Sequence, residues 1–471
     1  MDAPRNDRGR YPPGPPGLPL IGNLLALGKD PLGFFAEMAD RYGDFVSLNL
    51  AGWPALLVSD LPAIEKVLVE QHRNYIKHKF FWRHVTAVFG KGLLTSEGDL
   101  WQRQRRLAAP AFAARQLRGY DDAMVALTRR MLGGWKDGEI IDIHPEMMGL
   151  TLRIAAKTLF DSEVERDIHD MDRAMNDLIV EVASRYKRPF LIPDALPLPG
   201  HLRYQRAIRT VERVVSSMIA ERRASGLDHR SDFLSRLMAA RDDADRPMSD
   251  SLLRDEAITL LLAGHETTAL ALSWTWFLLG RHSPAQARIA AEIADVIGDR
   301  PVTADDLPRL KFTESVVMEA MRLYPPAWAI GRESVQPFDL GGYSFPTGTT
   351  IFIIPWVLHR DPRYFEEPET FRPERWMGDL ERKLPRFAYM PFGGGPRICI
   401  GQRFAMMEAV LALTTMVQRF SMEWLPDHKV MPFPSITLRP QGGVWLKIRE
   451  RKMNGRNGRI EASPPSLPDR I

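Results

Sequence analysis

A single cysteine, Cys399, occurs in the chain, and it lies in the glycine-rich segment 392–401. The residues that follow, 402–420, have the apolar periodicity of a long helix, so the thiol is expected at or just before a helix N-terminus. There the helix dipole and the free backbone N–H groups favour the thiolate over the thiol. Glycine neighbours allow close approaches that side chains would block. The segment therefore predicts a thiolate, which is the form of cysteine that binds metals.

Other interpretations of segment 392–401 are open. A lone cysteine is often a small buried hydrophobe, and glycine-rich loops before helices often bind phosphates. A Walker-type phosphate loop would end in Gly-Lys-Ser/Thr, which the segment lacks. A cysteine hydrolase would need a positioned histidine, which no pattern indicates. Taken alone, the segment does not exclude that Cys399 is a small buried hydrophobic residue.

The segment resembles the haem-binding signature F-x-x-G-x-R-x-C-x-G of the cytochromes P450, the haem-thiolate monooxygenases. All five fixed positions match, at Phe392, Gly395, Arg397, Cys399 and Gly401. The resemblance implies that Cys399 is the axial ligand of the iron in haem b, iron protoporphyrin IX. It further implies that Phe392 shields the sulfur from water and that Arg397 donates to a haem propionate.

The apolar segment 260–277 contains Ala-Gly-His-Glu-Thr-Thr, which resembles the oxygen-binding helix of the same family. Gly264 leaves room for a diatomic ligand, and the hydroxyl of Thr267 can return to the carbonyl of Ala263, four residues earlier. The resemblance implies that Thr267 and Glu266 supply protons during oxygen activation. This acid–alcohol pair favours O₂ and two electrons over peroxide. A polar interruption of a core helix is the structural alternative.

Glu319 and Arg322 match the Glu-x-x-Arg pair of the family, and Arg375 matches the arginine that joins this pair. An acid and a base three residues apart are also an ordinary surface pair of a helix. The resemblance implies a buried charge network behind the haem, with a structural and not a catalytic function.

Three further residues resemble haem contacts. Trp101 and Arg105 match the family's Trp-x-x-x-Arg, and their spacing places both on one helix face. Arg332 resembles another arginine that binds a propionate. The segment 359–362, His-Arg-Asp-Pro, is also present, but its function stays open.

Apolar residues near these motifs predict an apolar substrate, such as a fatty acid, terpenoid or steroid-like molecule, although the aromatic ones could belong to the core. The pocket candidates are Phe81, Phe89, Ala263, Ala329 and Ile330.

The elements that position these residues are mainly helical. Helical periodicity dominates from about residue 62 to residue 298, and short strands are expected at 45–50, 55–59, 343–345 and 349–354. Residues 435–439 and 444–448 are expected to form a late hairpin about Gly442 and Gly443. We therefore predict a mainly α fold with small β-sheets, the cytochrome P450 fold, in which haem lies between a long central helix and the cysteine loop.

The predicted organisation is a proline-rich lead over residues 1–20, a single domain over residues 21–450 and a flexible polar tail over residues 451–471. Apolar residues make up 45% of the chain and charged residues 26%, which is typical of a soluble globular protein. The net charge of +4, spread along the chain, indicates no nucleic-acid binding. The segment 258–280 is long enough to span a membrane, but His265 and Glu266 near its centre argue against an integral anchor.

A soluble, cytoplasmic monomer is expected, with peripheral contact to a membrane left open. Neither a flavin nor a ferredoxin domain is recognised, so a separate ferredoxin or flavodoxin-type protein is expected to supply electrons. Arg103, Arg105 and Arg106 form either a basic patch for an acidic electron donor or an ordinary solvated face. The predicted function is insertion of one oxygen atom from O₂ into an apolar substrate. The alternatives are a haem sensor or carrier without turnover and a peroxide-dependent peroxygenase.

Overall fold

The structure is a computed structural model that describes residues 11–187, 196, 198–224, 232–241 and 247–451. It leaves out the side chains of residues 80, 81, 114, 186 and 187. The first ten residues of the predicted lead, and all but the first residue of the predicted tail, lie outside the described ranges.

Helices account for most of the described chain. The α-helices are α1 Leu24–Lys29, α2 Pro31–Tyr42, α3 Leu61–Glu65, α4 Lys79–Phe89, α5 Gly98–Ala108, α6 Ala114–Leu117, α7 Asp121–Leu132, α8 Ile143–Phe160, α9 Ile168–Lys187, α10 Pro199–Ala224, α11 Phe233–Ala239, α12 Asp250–Arg281, α13 Ser283–Val296, α14 Lys311–Leu323, α15 Pro355–Leu358, α16 Leu380–Lys383 and α17 Gln402–Arg419.

The strands are short and form small sheets. They are β1 Phe45–Leu50, β2 Trp53–Val58, β3 Tyr75–Ile76, β4 Ile140–Asp142, β5 Ile330–Ser334, β6 Phe338–Leu340, β7 Tyr343–Phe345, β8 Thr350–Ile353, β9 Phe420–Trp424, β10 Met431–Pro434, β11 Leu438–Gln441 and β12 Trp445–Glu450. The prediction of a mainly α fold with small β-sheets is confirmed.

Two compact units divide the chain. Unit 1 contains the chain up to Val85, together with Ala327–Glu369 and Lys383–Cys399. Unit 2 contains Thr86–Pro326, Thr370–Arg382 and the chain from Ile400 onward.

Unit 1 contains a five-stranded sheet with the strand order β1-β2-β8-β5-β3. The strands expected at 45–50 and 55–59 are confirmed and form a hairpin at its edge: β1 pairs with β2 around Ala51 and Gly52, both with positive φ, as a tight hairpin turn requires. β2 pairs with β8 in parallel, and β8 pairs with β5 in antiparallel. Leu56 and Ile351 of the sheet share one hydrophobic core with Met390, which lies just before the cysteine segment. The sheet therefore supports the backbone that leads to Cys399.

Unit 2 is built around α12. This helix begins after the N-cap Ser249, whose hydroxyl accepts the N–H of Leu252, and its middle is buried on nearly all sides. α8 packs along it, and α10, α14 and α17 also contact it. Trp274 stacks on Tyr324 with ring centroids 4.1 Å apart, and its indole N–H donates to the carbonyl of Leu438. Across the part of the chain that the structure describes, no helix combines the length and the apolar character needed to cross a bilayer.

The predicted late hairpin is wrong, although both of its strands exist approximately where they were expected. β11 pairs with β10, the strand that precedes it, and the Ser435 N–H donates to the Thr437 carbonyl in the connecting turn. β12 pairs instead with β4 and β9. Gly442 and Gly443 have positive φ, but there they separate two strands that belong to different sheets.

Candidate functional site

The cysteine segment of unit 1 is closed on itself. The segment contains a 3₁₀ helix, Gly395–Arg397, which is followed by its C-cap residue Ile398. The N–H of Cys399 donates to the carbonyl of Phe392 at 3.0 Å. The side chain of Cys399 is exposed, and Phe392 and Arg397 are partly exposed. Because the exposed thiol follows a fixed turn, the interpretation as a small buried hydrophobe does not hold for this cysteine.

Glycine is required in this segment for steric reasons. Gly395 has φ +68°, and a β-carbon there would lie 2.0 Å from the carbonyl oxygen of Leu68. A β-carbon on Gly394 would lie 2.3 Å from the ring of Phe387. The cysteine segment therefore packs so closely on the rest of unit 1 that side chains at positions 394 and 395 would displace it.

His359 has a structural function that the sequence left open. Its side chain is fully buried, and Nε2 accepts the backbone N–H of Met390 at 2.9 Å. The accepting nitrogen is unprotonated, so the ring proton is on Nδ1. His359 thus fixes the chain just before Phe392.

β5 lies beside the cysteine segment within unit 1. A β-carbon on Gly393 would lie 3.8 Å from Cδ1 of Ile330, and Ala329 directly precedes this residue. Arg332 lies two residues further along β5, is partly buried and donates to the carbonyl of Gly331. Unit 1 therefore gathers Cys399, Ile330 and Arg332 in one region.

Unit 2 contains the predicted charge network. Arg322 donates to both oxygens of Glu319, from Nε and from a terminal nitrogen, at 2.9 Å each, and both side chains are fully buried. Arg375 donates to the same carboxylate from Nε at 3.0 Å. The indole of Trp376 and the backbone N–H of Arg372 complete the set, at 2.8 and 3.0 Å. The sequence interpretation did not include these last two donors.

One face of α12 differs from the rest of the helix. All residues from Asp255 to Leu279 are described, and among them only Ala263, Gly264 and Thr267 are not fully buried. The positions i, i+1 and i+4 of an α-helix share one side. The Thr267 hydroxyl donates to the Ala263 carbonyl at 2.7 Å, as predicted. A β-carbon on Gly264 would meet only Leu159, at 3.9 Å, so this position has room for a small ligand.

Glu266 is buried against the C-terminal part of unit 2. Its Oε1 accepts the Thr437 hydroxyl at 2.7 Å and Nε of Arg439 at 2.9 Å. The Glu266 and Arg439 side chains are 8% and 11% exposed, so this ion pair is largely shielded from solvent. Neither partner was predicted, because both are remote from Glu266 in sequence.

Two histidines near Glu266 stay neutral. Burial lowers the pKa of His265 to about 4, and burial and the charge of Arg439 lower the pKa of His144 to about 3. Nδ1 of His144 lies 3.0 Å from the Ser273 hydroxyl. At neutral pH neither histidine therefore adds a charge beside the ion pair of Glu266 and Arg439.

α5 contains Trp101 and Arg105 on one face, as their spacing predicts. Trp101 is buried and Arg105 is partly exposed. Among the remaining pocket candidates, Phe89 at the end of α4 is buried, and the side chain of Phe81 lies outside the description.

Unit 2 also contains a cavity of about 340 Å³ between α7, α8 and α9. Leu127, Gly149, Arg153 and Asp172 are among its lining residues, and this lining includes none of the residues predicted for the site. The cavity is therefore separate from the proposed chemistry.

Comparisons with known proteins agree with these motifs. Residues 12–447 match the model of the cytochrome P450 family. Cyclooctatin synthase of Streptomyces melanosporofaciens is 37% identical over 433 residues, which cover 91% of this chain and 94% of the relative. Cyclooctat-9-en-7-ol 5-monooxygenase of the same organism is 36% identical, with 88% and 89% covered. Pentalenene oxygenase of Streptomyces avermitilis is 34% identical, with 93% and 97% covered.

Proposed function

Because the chain belongs to the cytochrome P450 family, we propose that Cys399 would bind the iron of its haem and that the substrate of the enzyme is a terpenoid. Family membership establishes the enzyme class: the protein is a monooxygenase that binds haem b and needs O₂, an organic substrate and a redox partner. Haem supplies the centre at which O₂ is activated, and the protein supplies orientation, shielding and protons.

The cysteine segment fits an iron ligand. The thiol is exposed after a turn in which Gly394 and Gly395 pack closely on Phe387 and Leu68, so its position in unit 1 is fixed. α17 starts at Gln402, three residues after Cys399 along the chain, and a helix N-terminus at this spacing would favour the thiolate. This presentation of the cysteine is the observation on which the proposed ligand depends.

Five residues are proposed to contact haem besides the ligand. In unit 1, Arg332 and Arg397 would donate to propionates, and Phe392 would shield the sulfur. In unit 2, Trp101 and Arg105 lie on one face of α5 and would bind a propionate together. A guanidinium is suited to this task because its fork of donors matches a carboxylate.

Thr267 and Glu266 are the proposed catalytic residues. The face of Ala263, Gly264 and Thr267 is the accessible part of the buried middle of α12, so a small ligand beside Gly264 would lie next to the Thr267 hydroxyl. Glu266 would hold the proton that this hydroxyl passes on. Hydrogen bonds from Thr437 and Arg439 fix the orientation of its carboxylate.

The substrate is proposed to be an apolar terpenoid. The pocket candidates Phe89, Ala263, Ala329 and Ile330 are all apolar, and no charged side chain is among them. Two of the similar proteins are named for the oxidation of cyclooctat-9-en-7-ol and of pentalenene. Burial of apolar surface would then dominate binding, at roughly 25 cal/mol per Å².

We further propose that residues 21–450 form the single P450 domain, and that the protein is a cytoplasmic monomer. The electron donor is proposed to be a separate ferredoxin or flavodoxin. Arg103, Arg105 and Arg106 of α5 supply positive charge that would attract an acidic donor of this kind.

The ligand is tested by the absorption spectrum of the reduced protein under carbon monoxide. The wild type is expected to give the Soret band of thiolate ligation, and Cys399→Ser is expected to lose it. Ile398→Ser changes the exposed neighbour and should keep the band. A wild-type spectrum typical of histidine ligation would overturn the assignment.

The reaction is tested with terpenoid hydrocarbons, NADPH, a ferredoxin or flavodoxin and the matching reductase. We expect a substrate-induced spectral shift and an oxygenated product that contains one atom from ¹⁸O₂. Equal turnover with hydrogen peroxide alone would identify a peroxygenase. Haem binding without any product would identify a sensor or carrier.

A further inference from the structure

The segment between α4 and α5 is bound to α12 by two adjacent carboxylates. The backbone N–H of Lys91 donates to Asp255 at 2.8 Å, and the N–H of Leu93 donates to Glu256 at 3.0 Å. Both acceptors lie in the second turn of α12, about two turns before Gly264. Neither acid takes part in the proposed chemistry, and yet both are buried.

The same segment is bonded to α5. The carbonyl of Lys91 accepts the side-chain amide of Gln104 at 2.6 Å, and Gln104 is only 1% exposed. The Thr95 hydroxyl donates to the carbonyls of Gly90 and Gly92, which keeps the segment compact. The peptide groups on the two sides of Lys91 therefore join α12 to α5, one turn after Trp101.

Two glycines allow this close contact. Gly90 has φ +56°, and a β-carbon there would lie 2.2 Å from the carboxyl of Asp255. A β-carbon on Gly92 would lie 2.0 Å from the hydroxyl of Thr259. The segment can thus rest on α12 only because both positions lack side chains.

We propose that Asp255 and Glu256 are positioning residues, which together form a carboxylate clamp that holds segment 90–95 on α12 and thereby fixes α5. The clamp acts on haem through Trp101 and Arg105, so this part of the inference rests on the proposed function. The hydrogen bonds of the clamp lie within unit 2 and do not depend on it.

The clamp responds to pH through Glu256. Burial raises the pKa of this carboxyl, the Leu93 N–H opposes this effect and the Asp255 charge adds to it, so that the pKa is about 7. Asp255 is paired with Arg254, which also reaches Glu212 of α10 at 3.6 Å. The contact from α5 to the segment is made by Gln104, which is neutral. The Lys91 side chain is exposed to solvent.

Ionisation of Glu256 places a negative charge in a buried site. Opening of segment 90–95 would expose the Glu256 carboxylate to water. A pKa of about 7 when closed and 4.5 when open makes opening about tenfold more frequent at pH 8 than at pH 6. Glu256→Gln keeps an oxygen that accepts the Leu93 N–H but cannot ionise, so it should remove this dependence.

The clamp is tested on the haem-loaded enzyme by hydrogen exchange of peptides that cover residues 90–97, with rates corrected for intrinsic pH effects. Opening in the wild type should rise about tenfold from pH 6 to pH 8, and opening in Glu256→Gln should stay constant. Asp250→Asn, which changes an exposed acid of the same helix, should follow the wild type. Identical pH profiles for Glu256→Gln and the wild type would overturn the clamp.

Its effect on α5 is tested by the rate of haem transfer to apomyoglobin. Between pH 6 and pH 8 this rate should rise in the wild type and in Asp250→Asn, and it should stay flat in Glu256→Gln. If exchange changes as expected but haem transfer does not, the positioning of α5 is overturned. The absorption spectrum of the reduced protein under carbon monoxide tests separately whether Cys399 binds the haem iron.

Discussion

Thr267 differs from Ser273 and Thr275 of α12 in its exposure and not in its hydrogen bond. Ser273 and Thr275 also donate to the carbonyl four residues earlier, at 2.7 Å, but both are fully buried. Thr267 makes the same bond on the accessible face. At Thr267 a common hydrogen bond from a hydroxyl to the helix backbone is thus combined with exposure of that hydroxyl. Proton transfer to a bound ligand needs such an accessible hydroxyl.

This difference provides a matched pair of variants. Thr267→Val removes the hydroxyl from the accessible face, and Thr275→Val removes an equivalent hydroxyl from the core. We expect product formed per pair of electrons consumed to fall on the order of tenfold or more in Thr267→Val, because a positioned proton-transfer group typically contributes at least that much. Thr275→Val should retain the wild-type ratio. Equal ratios in the two variants would contradict the assigned function of Thr267.

The sequence predicts residues of this kind only where the partners are close along the chain. The Thr267–Ala263 bond follows from helical spacing, and so does the contact of Glu319 with Arg322. Arg439 pairs with Glu266 from a different strand, and its position depends on how that strand pairs. No local pattern near Glu266 contains this information.

At the scale of elements, Glu319 ties α14 to the 3₁₀ helix Pro373–Met377. Its carboxylate accepts hydrogen bonds from two arginines, one indole and one backbone N–H, and it is fully buried. Such a pair contributes little net stability compared with apolar residues, but removal of one partner leaves buried charge without compensation. The network is therefore more important for fixing the two elements than for strengthening them.

Glu319→Gln is expected to lower the free energy of unfolding by about 3–5 kcal/mol, because Arg322 and Arg375 would keep buried charges without a carboxylate. Urea unfolding followed by circular dichroism measures the change. The control is Glu374→Gln: Glu374 pairs with Arg288 while 46% exposed, so its loss should cost about 0–1 kcal/mol. A small effect at Glu319 would show that the network is dispensable.

Element boundaries followed from local chemistry more closely than strand partners did. α14 ends at Leu323, two residues before Pro325 and Pro326, which cannot continue a helix, and Thr303 forms a capping box with Asp306 at the start of a 3₁₀ helix. β11 and β12 are both present, but the predicted hairpin between them is not, because the two glycines there connect different sheets. Pairing is decided by contacts between remote strands, which local turn signals do not determine.

At the scale of the whole molecule, buried histidines set its response to acid. The unfolded chain takes up a proton on each histidine near pH 6.5, whereas the pKa of His265 in the folded protein is about 4. Between these values the unfolded state binds more protons, so stability falls as the pH is lowered through this window. Above about pH 6.5 His265 has no such effect.

His265→Gln removes this contribution. Between pH 7.5 and pH 5 the wild type should lose about 2 kcal/mol more unfolding free energy than the variant, as measured by denaturant titration at each pH. His169→Gln, at an exposed position of α9, should behave as the wild type does. Equal losses in all three proteins would mean that His265 becomes protonated without unfolding.

Unit 1 is assembled from three separate stretches of chain, and the last of them ends at Cys399. In its central parallel strand pair, Ala55 of β2 lies opposite Thr350 of β8. The early strands therefore cannot complete their sheet until most of the polypeptide has been synthesised. During synthesis at the ribosome, an N-terminal domain can usually fold before the rest emerges. Here the first strands leave the exit tunnel long before the residues that complete their sheet, and the cysteine emerges last of all. The nascent chain therefore has no finished haem ligand to offer until translation of the unit is complete, and acquisition of the cofactor becomes a late event in biogenesis.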